Sequence, residues 1–558
     1  MRDDRLGETL RLLTARGFSS VGNRAGRRSF EGVLPCKRGD VRVRLVIRDW
    51  DFQSYPAIIL LDTPDFLPPL MPHVSVAGGL CYFAPGSVVL DRYDPATAIA
   101  QCLQQATAVL DRIASDPDYR SKDIQDEFLV HWEFGQTPWP WPVLIGSIPP
   151  NSVSASYSLL DVDGSRRAVI ASDPAEVAAF AKALGGQTAV RTNCKCWLFK
   201  TTMRPAVPET MPKTVKELFA WLQQWDRTMY GGIQRVLERE SAYLEYSFAT
   251  FAIDTPIGWL GFGFDLDQVK RLGAKRFPKL YKQHLHGKGG NRTILRLSIT
   301  DISPSYVHSR NLSFPDLKDK RITLVGCGAI GSFLAQSLVR LGVGHGRGSL
   351  TLIDPDTLQP ENLGRHLLGY PSLFKPKADA LKDHLLREFP LAKIESVPKS
   401  ATEHPQLFGA DLLIDATGEE TVSELLNGLR IEHQSKNPLL HIWVKGNGEC
   451  VQSLWADRSG AGCFRCLKTS DDQHHRSERF PVLNHEPIRG TVGCQAFTPY
   501  AVSSPMQAAA LAVDSIIDWL KGDPSPRFRT RSIENADVRR VKNQDISKLK
   551  ECPACALQ

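Results

Sequence analysis

Apolar and basic residues alternate along VRVRLVIRDW from Val41. A period of two puts the apolar side chains on one face, so the spacing predicts a half-buried strand. PAIILLDTP, from Pro56, is apolar with little alternation and predicts a more deeply buried strand. Upstream, Leu6, Leu10, Leu12 and Leu13 outline an amphipathic helix. Downstream come a turn region with Pro64, Pro68, Pro69 and Pro72, then GGLCYF at 78–83. A helical stretch follows from Pro95 to about Ala114, with proline in the first turn, where its missing N–H costs nothing. The Pro- and Trp-rich run QTPWPWPVLIGSIPPN from Gln136 interrupts the pattern and marks a boundary. Residues 1–148 therefore read as one α+β domain.

Residues 149–312 carry strand-like and helical patches and Gly-rich segments such as HGKGGNRT. They read as an α+β middle domain suited to binding a partner. Cys194 and Cys196 form a CxC pair with no second pair near them, so a strand position is favoured over metal binding. From Asp319 the pattern changes. DKRITLVGCGAIGSFLAQSLVRLGVG reads strand, Gly-rich turn, helix, and GSLTLIDPD and ADLLIDATG read as further strands. This alternation predicts an α/β domain over 313–558, with a parallel sheet flanked by helices.

The chain's 558 residues suit three domains. It has no apolar run of membrane-spanning length and no secretory leader at MRDDRLGETL, which predicts a cytoplasmic protein that does not enter a membrane. The net charge of +7, from 68 basic and 61 acidic residues, is a weak pointer to an acidic partner and does not argue for direct nucleic-acid binding. In a reducing compartment the 12 cysteines are read first as metal ligands or nucleophiles.

Gly326-Cys327-Gly328-Ala329-Ile330-Gly331 is a GxGxxG between a strand and a helix. Its glycines allow the backbone to approach phosphate, and the helix N-terminus offers free N–H donors. Asp354 ends the next strand, where a carboxylate accepts ribose hydroxyls. Alone, this pattern has an NAD-binding domain as its default reading. Asn362, Arg365 and Lys377 alter that reading, because a triphosphate under attack needs cations and polar groups for its departing pyrophosphate. Asp415, at the end of LLIDATG, is the candidate ligand for Mg²⁺, which prefers oxygen. ATP and Mg²⁺ are the expected cofactors.

Cys463-Phe-Arg-Cys466 and Cys552-Pro-Ala-Cys555 are two CxxC knuckles, suited to a closed, structural Zn²⁺ site. Cys494, in GTVGCQAFTPYAVSS before an apolar helix, lies outside both knuckles. It is the candidate nucleophile toward an activated carbonyl. The alternative is a small buried side chain.

On these motifs the stretch from about Arg310 to Cys555 resembles the ThiF/MoeB and ubiquitin-activating-enzyme superfamily. The resemblance implies a Rossmann-like adenylation domain, a homodimer, a thioester on Cys494, and an arginine reaching into the partner's site, for which Arg310 is the candidate. The second acid often found soon after Asp415 is replaced by Gly418. The N-terminal domain resembles ubiquitin-conjugating enzymes through MPHVSVAGGLCYF, which implies that Cys81 is the conjugating cysteine and His73 a supporting residue. The family's His-Pro-Asn is absent, the chain reading Pro72-His73-Val74. Asp91 and Asp94 are candidates to orient an attacking amine, or else a loop acid and a helix cap.

The fusion resembles bacterial CBASS-associated enzymes of antiviral defence. It implies adenylation of a protein C-terminus, that of a cGAS/DncV-like nucleotidyltransferase, and its conjugation to a lysine-bearing target. Rival readings are a sulfur-carrier adenylyltransferase, a nucleotide-binding scaffold and an NAD-dependent oxidoreductase.

Overall fold

The computed structural model describes residues 2–24, 27–133, 135–136, 141–162, 164–185, 191–469, 477–492, 495–534 and 536–557. It separates into two compact units, one of residues 1–174 and 188–301, the other of residues 175–187 and 302–558.

The first unit opens with the helix Arg2–Ala15 and an antiparallel meander. Its strands, in spatial order, are β1 (Ser19–Arg24), β2 (Arg27–Cys36), β3 (Gly39–Ile47), β4 (Ala57–Leu60) and β5 (Gly79–Leu80). On β3 the predicted alternation holds: Val41, Val43, Leu45 and Ile47 are fully buried, while Arg42 and Arg44 face outward and pair with Asp62 and Glu31. The helix Pro95–Ser115 covers the buried face with Ile99, Leu103, Ala106 and Leu110. Asp94 caps that helix by accepting the Thr97 N–H at 3.1 Å.

The rest of the unit is built on a closed barrel. Its strands are β6 (Val143–Ile145), β7 (Ser154–Val162), β8 (Ser165–Ala171), β9 (Arg191–Lys200), β10 (Phe248–Thr255), β11 (Gly258–Asp265) and β12 (Leu295–Asp301). The order round the barrel is β10-β11-β12-β6-β8-β7-β9, closed by the parallel β9–β10 pair. Cys194 and Cys196, two apart on β9, share its apolar interior with Tyr157, Ile170 and Leu297. The CxC pair thus occupies strand positions.

A helix that lies between the two sheets in sequence packs on the barrel. Phe128–Glu133 packs on β11 and β12, and the rings of Phe128, Trp132 and Trp221 lie with centroids 5.1–5.9 Å apart. Trp132 Nε1 donates to the Gly261 carbonyl at 2.7 Å. Arg296, almost wholly buried, donates to the carbonyls of Trp132 and Pro212 at 2.7 and 2.9 Å. Its charge is therefore spread over peptide acceptors at the seam.

The second unit carries a seven-stranded sheet. The strands are β13 (Arg321–Val325), β14 (Ser349–Ile353), β15 (Ile394–Val397), β16 (Leu412–Asp415), β17 (Leu439–Lys445) and β18 (Cys450–Ala456). A short antiparallel pair, β19 (Gly490–Val492) and β20 (Gln495–Phe497), precedes the last, β21 (Phe528–Ser532). The sheet order is β15-β14-β13-β16-β17-β18-β21, with β13 to β17 parallel and the last two antiparallel. All four residues of β16 are buried, as a strand covered on both faces requires. Strand order reverses between β13 and β16, which opens a crevice at their C-terminal ends. Among the described residues no helix is long and apolar enough to cross a membrane.

Trp132→Ala removes a buried indole and its hydrogen bond, and should cost about 3–5 kcal/mol. Hydrogen exchange should show lost protection in β10–β12 with β13 and β16 unchanged. Unchanged protection in β11 would show that the seam does not depend on this ring.

Candidate functional site

The crevice beyond β13 and β16 is a cavity of about 720 Å³. Its floor is the Gly-rich turn. Gly326 adopts φ +89°, and a Cβ there would stand 2.8 Å from the Thr417 nitrogen. A Cβ on Gly331 would fall 1.8 Å from the Gly326 carbonyl oxygen. Both positions thus exclude any side chain. Gly328 starts the helix Ala329–Arg340, and a Cβ there would meet nothing within 4 Å, only the cavity. The missing side chain leaves a cradle at a helix N-terminus, which fits phosphate.

Asp354 fastens this turn. Its Oδ2 accepts the Cys327 N–H at 2.7 Å, and its Oδ1 accepts the Asp356 N–H at 2.8 Å. Burial pushes its carboxyl above the usual range. His366 holds the other side of the turn. Its Nδ1 accepts the Leu368 N–H at 3.0 Å, so Nε2 carries the proton and donates to the Cys327 carbonyl at 2.8 Å. Burial pulls this imidazole down to about 4, so it is neutral at physiological pH. His366 has no signal in the sequence beyond following Arg365.

Asn362, Arg365 and Lys377 all line the cavity. Asn362 Oδ1 accepts the Gln359 N–H at 3.0 Å, which shapes the turn carrying Arg365. The Arg365 guanidinium lies 5.0 Å from the Tyr500 ring centre. Lys377, at the start of the helix Lys377–Glu388, is mostly buried, with Nζ 2.9 Å from Asp356 Oδ2.

Asp415 departs from its expected role as a ligand. It is 1% exposed, and both oxygens are engaged. Oδ1 accepts from the Thr417 N–H and hydroxyl at 3.1 and 2.7 Å, and Oδ2 from Ser423 and from His441 Nδ1, the latter at 2.8 Å. Burial alone would raise this carboxyl, but hydrogen bonds from His441, Ser423 and Thr417 hold it below the usual range. A carboxylate so enclosed does not fit as a direct Mg²⁺ ligand. It orders the turn 416–419 instead. That turn brings Glu419 to the cavity wall, which Asp354 and Asp356 also line, so carboxylates able to face a hydrated cation are present there.

Cys494 lies outside the described residues. Phe497, Thr498 and Tyr500, just after it in sequence, line the cavity. Arg310 caps the end of the helix Pro304–Ser309, exposed, with its guanidinium 5.5 Å from the Tyr306 ring centre.

The four knuckle cysteines converge. Their sulfur atoms lie within 4.8 Å of one another, with separations of 3.9 Å for Cys463–Cys466, 3.8 Å for Cys463–Cys552, 3.6 Å for Cys466–Cys555 and 3.5 Å for Cys463–Cys555. A tetrahedral Zn²⁺ with Zn–S of about 2.3 Å sets its sulfurs about 3.8 Å apart. These separations are far too long for disulfides. The donor set fits structural zinc, which ties residues 552–555 to the turn after β18.

In the first unit Cys81 follows β5 and is exposed. Its N–H donates to the His73 carbonyl at 2.7 Å. His73 adopts φ +60°, an uncommon conformation for a residue with a Cβ. Its Nδ1 lies 2.9 Å from Glu127 Oε1 and its Nε2 3.0 Å from Asp123 Oδ2. Its N–H also donates to Glu127 Oε2 at 3.3 Å. Burial pushes the Cys81 thiol up, and the charge of Glu127 adds to this. Asp91 accepts the Tyr93 N–H at 2.7 Å and Asp94 is the helix cap described above, so both serve local turns. Asp123, Glu127 and His131 were missed in the sequence. Their spacing of four, which puts them on one face of a helical stretch, was the available signal.

Residues 309–554 match the ThiF family, and residues 19–136 match Prokaryotic E2 family B. The ATP-dependent ubiquitin transferase-like protein Cap2 of Pseudomonas aeruginosa (strain BWHPSA011 / Pa011) is 31% identical over 558 residues, covering 99% of this chain and 98% of the relative. Cap2 of Escherichia coli (strain TW11681) is 24% identical over 549 residues, covering 93% and 91%. The solved structure of E. coli MccB with MccA-N7isoASN aligns over 43% of this chain and 67% of that one, at 16% identity and a TM-score of 0.34.

Purified protein should contain about one zinc per chain by elemental analysis, and Cys466→Ser should lose it and lower the melting temperature. Full metal retention in the variant would contradict the site. The hydrogen bond that His73 donates to Glu127, opposed by burial and reinforced by the one to Asp123, holds His73 above its ordinary pKa of 6.5. The resulting stabilisation is complete below that value and is lost as pH rises through the higher folded one. NMR titration should place the His73 midpoint above 6.5, and Glu127→Gln should lower it; a midpoint at or below 6.5 in the wild type would contradict the clamp.

Proposed function

The chain belongs to the Cap2-like family of ATP-dependent ubiquitin transferase-like proteins, and from that membership we propose a relay in which ATP activates a partner protein's C-terminal carboxylate and two cysteines carry the acyl group to an amine. It joins a prokaryotic E2 domain to a ThiF, E1-like domain. We assign conjugation to residues 1–148, partner binding to 149–312 and adenylation to 313–558.

In the first step a carboxylate oxygen attacks the α-phosphorus of ATP and pyrophosphate leaves, giving an acyl-adenylate. The cradle at Gly328 holds phosphate oxygens, and Asp354 accepts from the ribose. Arg365 and Lys377, with Arg310 from a second copy in a homodimer, stabilise charge as it moves onto pyrophosphate. Mg²⁺, held through Asp356 and Glu419, would neutralise part of that charge. Cys494 then displaces AMP to form a thioester. Transfer to Cys81 exchanges one thioester for another, so placement decides it. An amine of the target, a lysine in our reading, finally takes the acyl group from Cys81. The acyl donor we assign is a cGAS/DncV-like nucleotidyltransferase, primed in CBASS antiviral defence within the cytoplasm.

The observation that carries this reading is one cavity combining a side-chain-free phosphate cradle with Arg365 and Lys377, in a chain that also presents an exposed Cys81. An NAD-dependent oxidoreductase has no use for that pairing.

ATP–pyrophosphate exchange tests the first step, with the nucleotidyltransferase as carboxylate donor. Lys377→Ala should lower exchange by about 10²-fold. Cys494→Ala and Cys81→Ala should retain exchange and lose conjugate. Absence of exchange in the wild type would favour a scaffold, and exchange without any Cys81-dependent conjugate would favour sulfur-carrier chemistry.

A further inference from the structure

Between Asp267 and Asp301 the chain has nine Lys and Arg and no Asp or Glu. That local excess is larger than the net +7 of the whole chain, so the remaining sequence is net acidic. The positive charge of the protein is therefore concentrated in the segment that joins β11 to β12. It folds as two packed helices, Gln268–Ala274 and Pro278–His286. Ala274, Tyr281 and Leu285 face inward and join the core beneath.

Four of the nine cations serve the fold. Lys282 lies 2.8 Å from Glu238, and Arg292 lies 3.0 Å from Asp267. Arg271 donates to the carbonyls of Leu244 and Glu245, and Arg296 to the carbonyls described above. The other five, Lys270, Lys275, Arg276, Lys279 and Lys288, are exposed and form no ion pair among the described residues. Large apolar side chains stand in water beside them. Val269 is 78% exposed, Phe277 65%, Leu280 54% and Leu272 52%. Val269 and Leu272 are three apart on one helix, so they share a face. The Leu280 N–H donates to the Phe277 carbonyl at 2.9 Å, which puts that pair on one turn. Single exposed apolar residues are ordinary, but four within twelve positions mark an interaction surface.

The pattern also selects the partner. Lys270 follows Val269, Arg276 precedes Phe277 and Lys279 precedes Leu280. The inner sides of both helices are committed to the core, so cations and apolar side chains share the outer side. A membrane-inserting helix keeps the two apart, because an ammonium between inserted side chains would be carried toward the acyl chains. Single-stranded nucleic acid stacks its bases on aromatic rings, and three of these four side chains are aliphatic. An apolar patch set among charges of one sign instead matches a protein surface with carboxylates and apolar side chains of its own. Opposite charge orients such a partner, and apolar burial holds it.

We propose that this face docks an acidic segment of a partner protein, whose carboxylates meet Lys275, Arg276 and Lys279 and whose apolar side chains cover Val269, Phe277 and Leu280. The proposal narrows the partner-binding role assigned above to 149–312 and rests on that assignment, not on the thioester relay. The face belongs to the compact unit that also carries Cys81, so a partner docked there is held to the conjugating unit.

The experiment measures fluorescence anisotropy with full-length protein at about 0.15 M salt. The probe is a labelled peptide rich in Glu with Leu at every fourth position, and its Gln-for-Glu and Lys-for-Glu counterparts are the controls. Wild type should bind the Glu peptide saturably and neither control. Arg276→Glu with Lys279→Glu should weaken the Glu peptide by about tenfold or more and gain the Lys peptide, a gain that a misfolded variant would not show. Phe277→Ser with Leu280→Ser should also weaken the Glu peptide by about tenfold. Binding that falls on charge reversal but ignores the apolar pair would be ion attraction alone and would overturn the docking face. No binding of the Glu peptide would overturn it as well. So would tighter binding to phosphatidylglycerol vesicles or to single-stranded DNA, or self-association of the protein that these substitutions abolish. The measurement needs neither ATP nor a charged cysteine, so failure of the wild type to charge Cys81 would overturn the relay and leave this result standing.

Discussion

The hydrogen bond from the Cys327 N–H to Asp354 is the interaction on which the Gly-rich cradle depends. It joins the turn after β13 to the end of β14, and so fixes the cradle relative to the Asp354 carboxylate. Nothing bulkier than glycine can occupy 326 or 331 while that bond exists, because the turn backbone packs against its own carbonyl and against residues 416–417. His366 closes the arrangement from the far side by binding the Cys327 carbonyl. Three segments distant in sequence therefore converge on one residue. With both its N–H and its C=O engaged, that residue has little freedom to move, which is the condition for preorganised stabilisation.

The cavity at β13 and β16 gathers Arg365 and Lys377, the cations to which the proposed relay assigns the dispersal of charge on pyrophosphate. The cluster beside Cys81 holds His73 between two carboxylates, Asp123 at 3.0 Å and Glu127 at 2.9 Å. The buried Asp415–His441 pair belongs to neither, having its hydrogen bonds inside the fold. It stabilises the turn that presents Glu419, at the cost of sequestering a carboxylate that the strand-end position had made a natural ligand.

What the residues disclosed depended on range. The Gly-rich turn and the β3 alternation are set by neighbours within a few positions, and both read directly, whereas the cap at Asp94 was one of two readings left open. The zinc knuckles were legible despite the 89 positions separating Cys463 from Cys552, because CxxC repeats carry their own chemistry. Contacts between unlike residues at long range were not. His73 meets Asp123 across 50 positions, and Asp415 meets His441 across 26, with no motif to link them. The barrel was hidden for the same reason, since its closure rests on parallel pairs such as β9–β10 between strands separated by two helices.

The central claim is a sequential relay of one acyl group between two sulfurs. Its most direct measurement is a pulse–chase with a labelled nucleotidyltransferase C-terminus and ATP, quenched at increasing times and mapped by mass spectrometry under non-reducing conditions. The account predicts a thiol-labile adduct at Cys494 that decays as one at Cys81 rises, with the first accumulating in Cys81→Ala. An adduct that reaches Cys81 in a Cys494→Ala protein, or label confined to AMP-linked species, would contradict it.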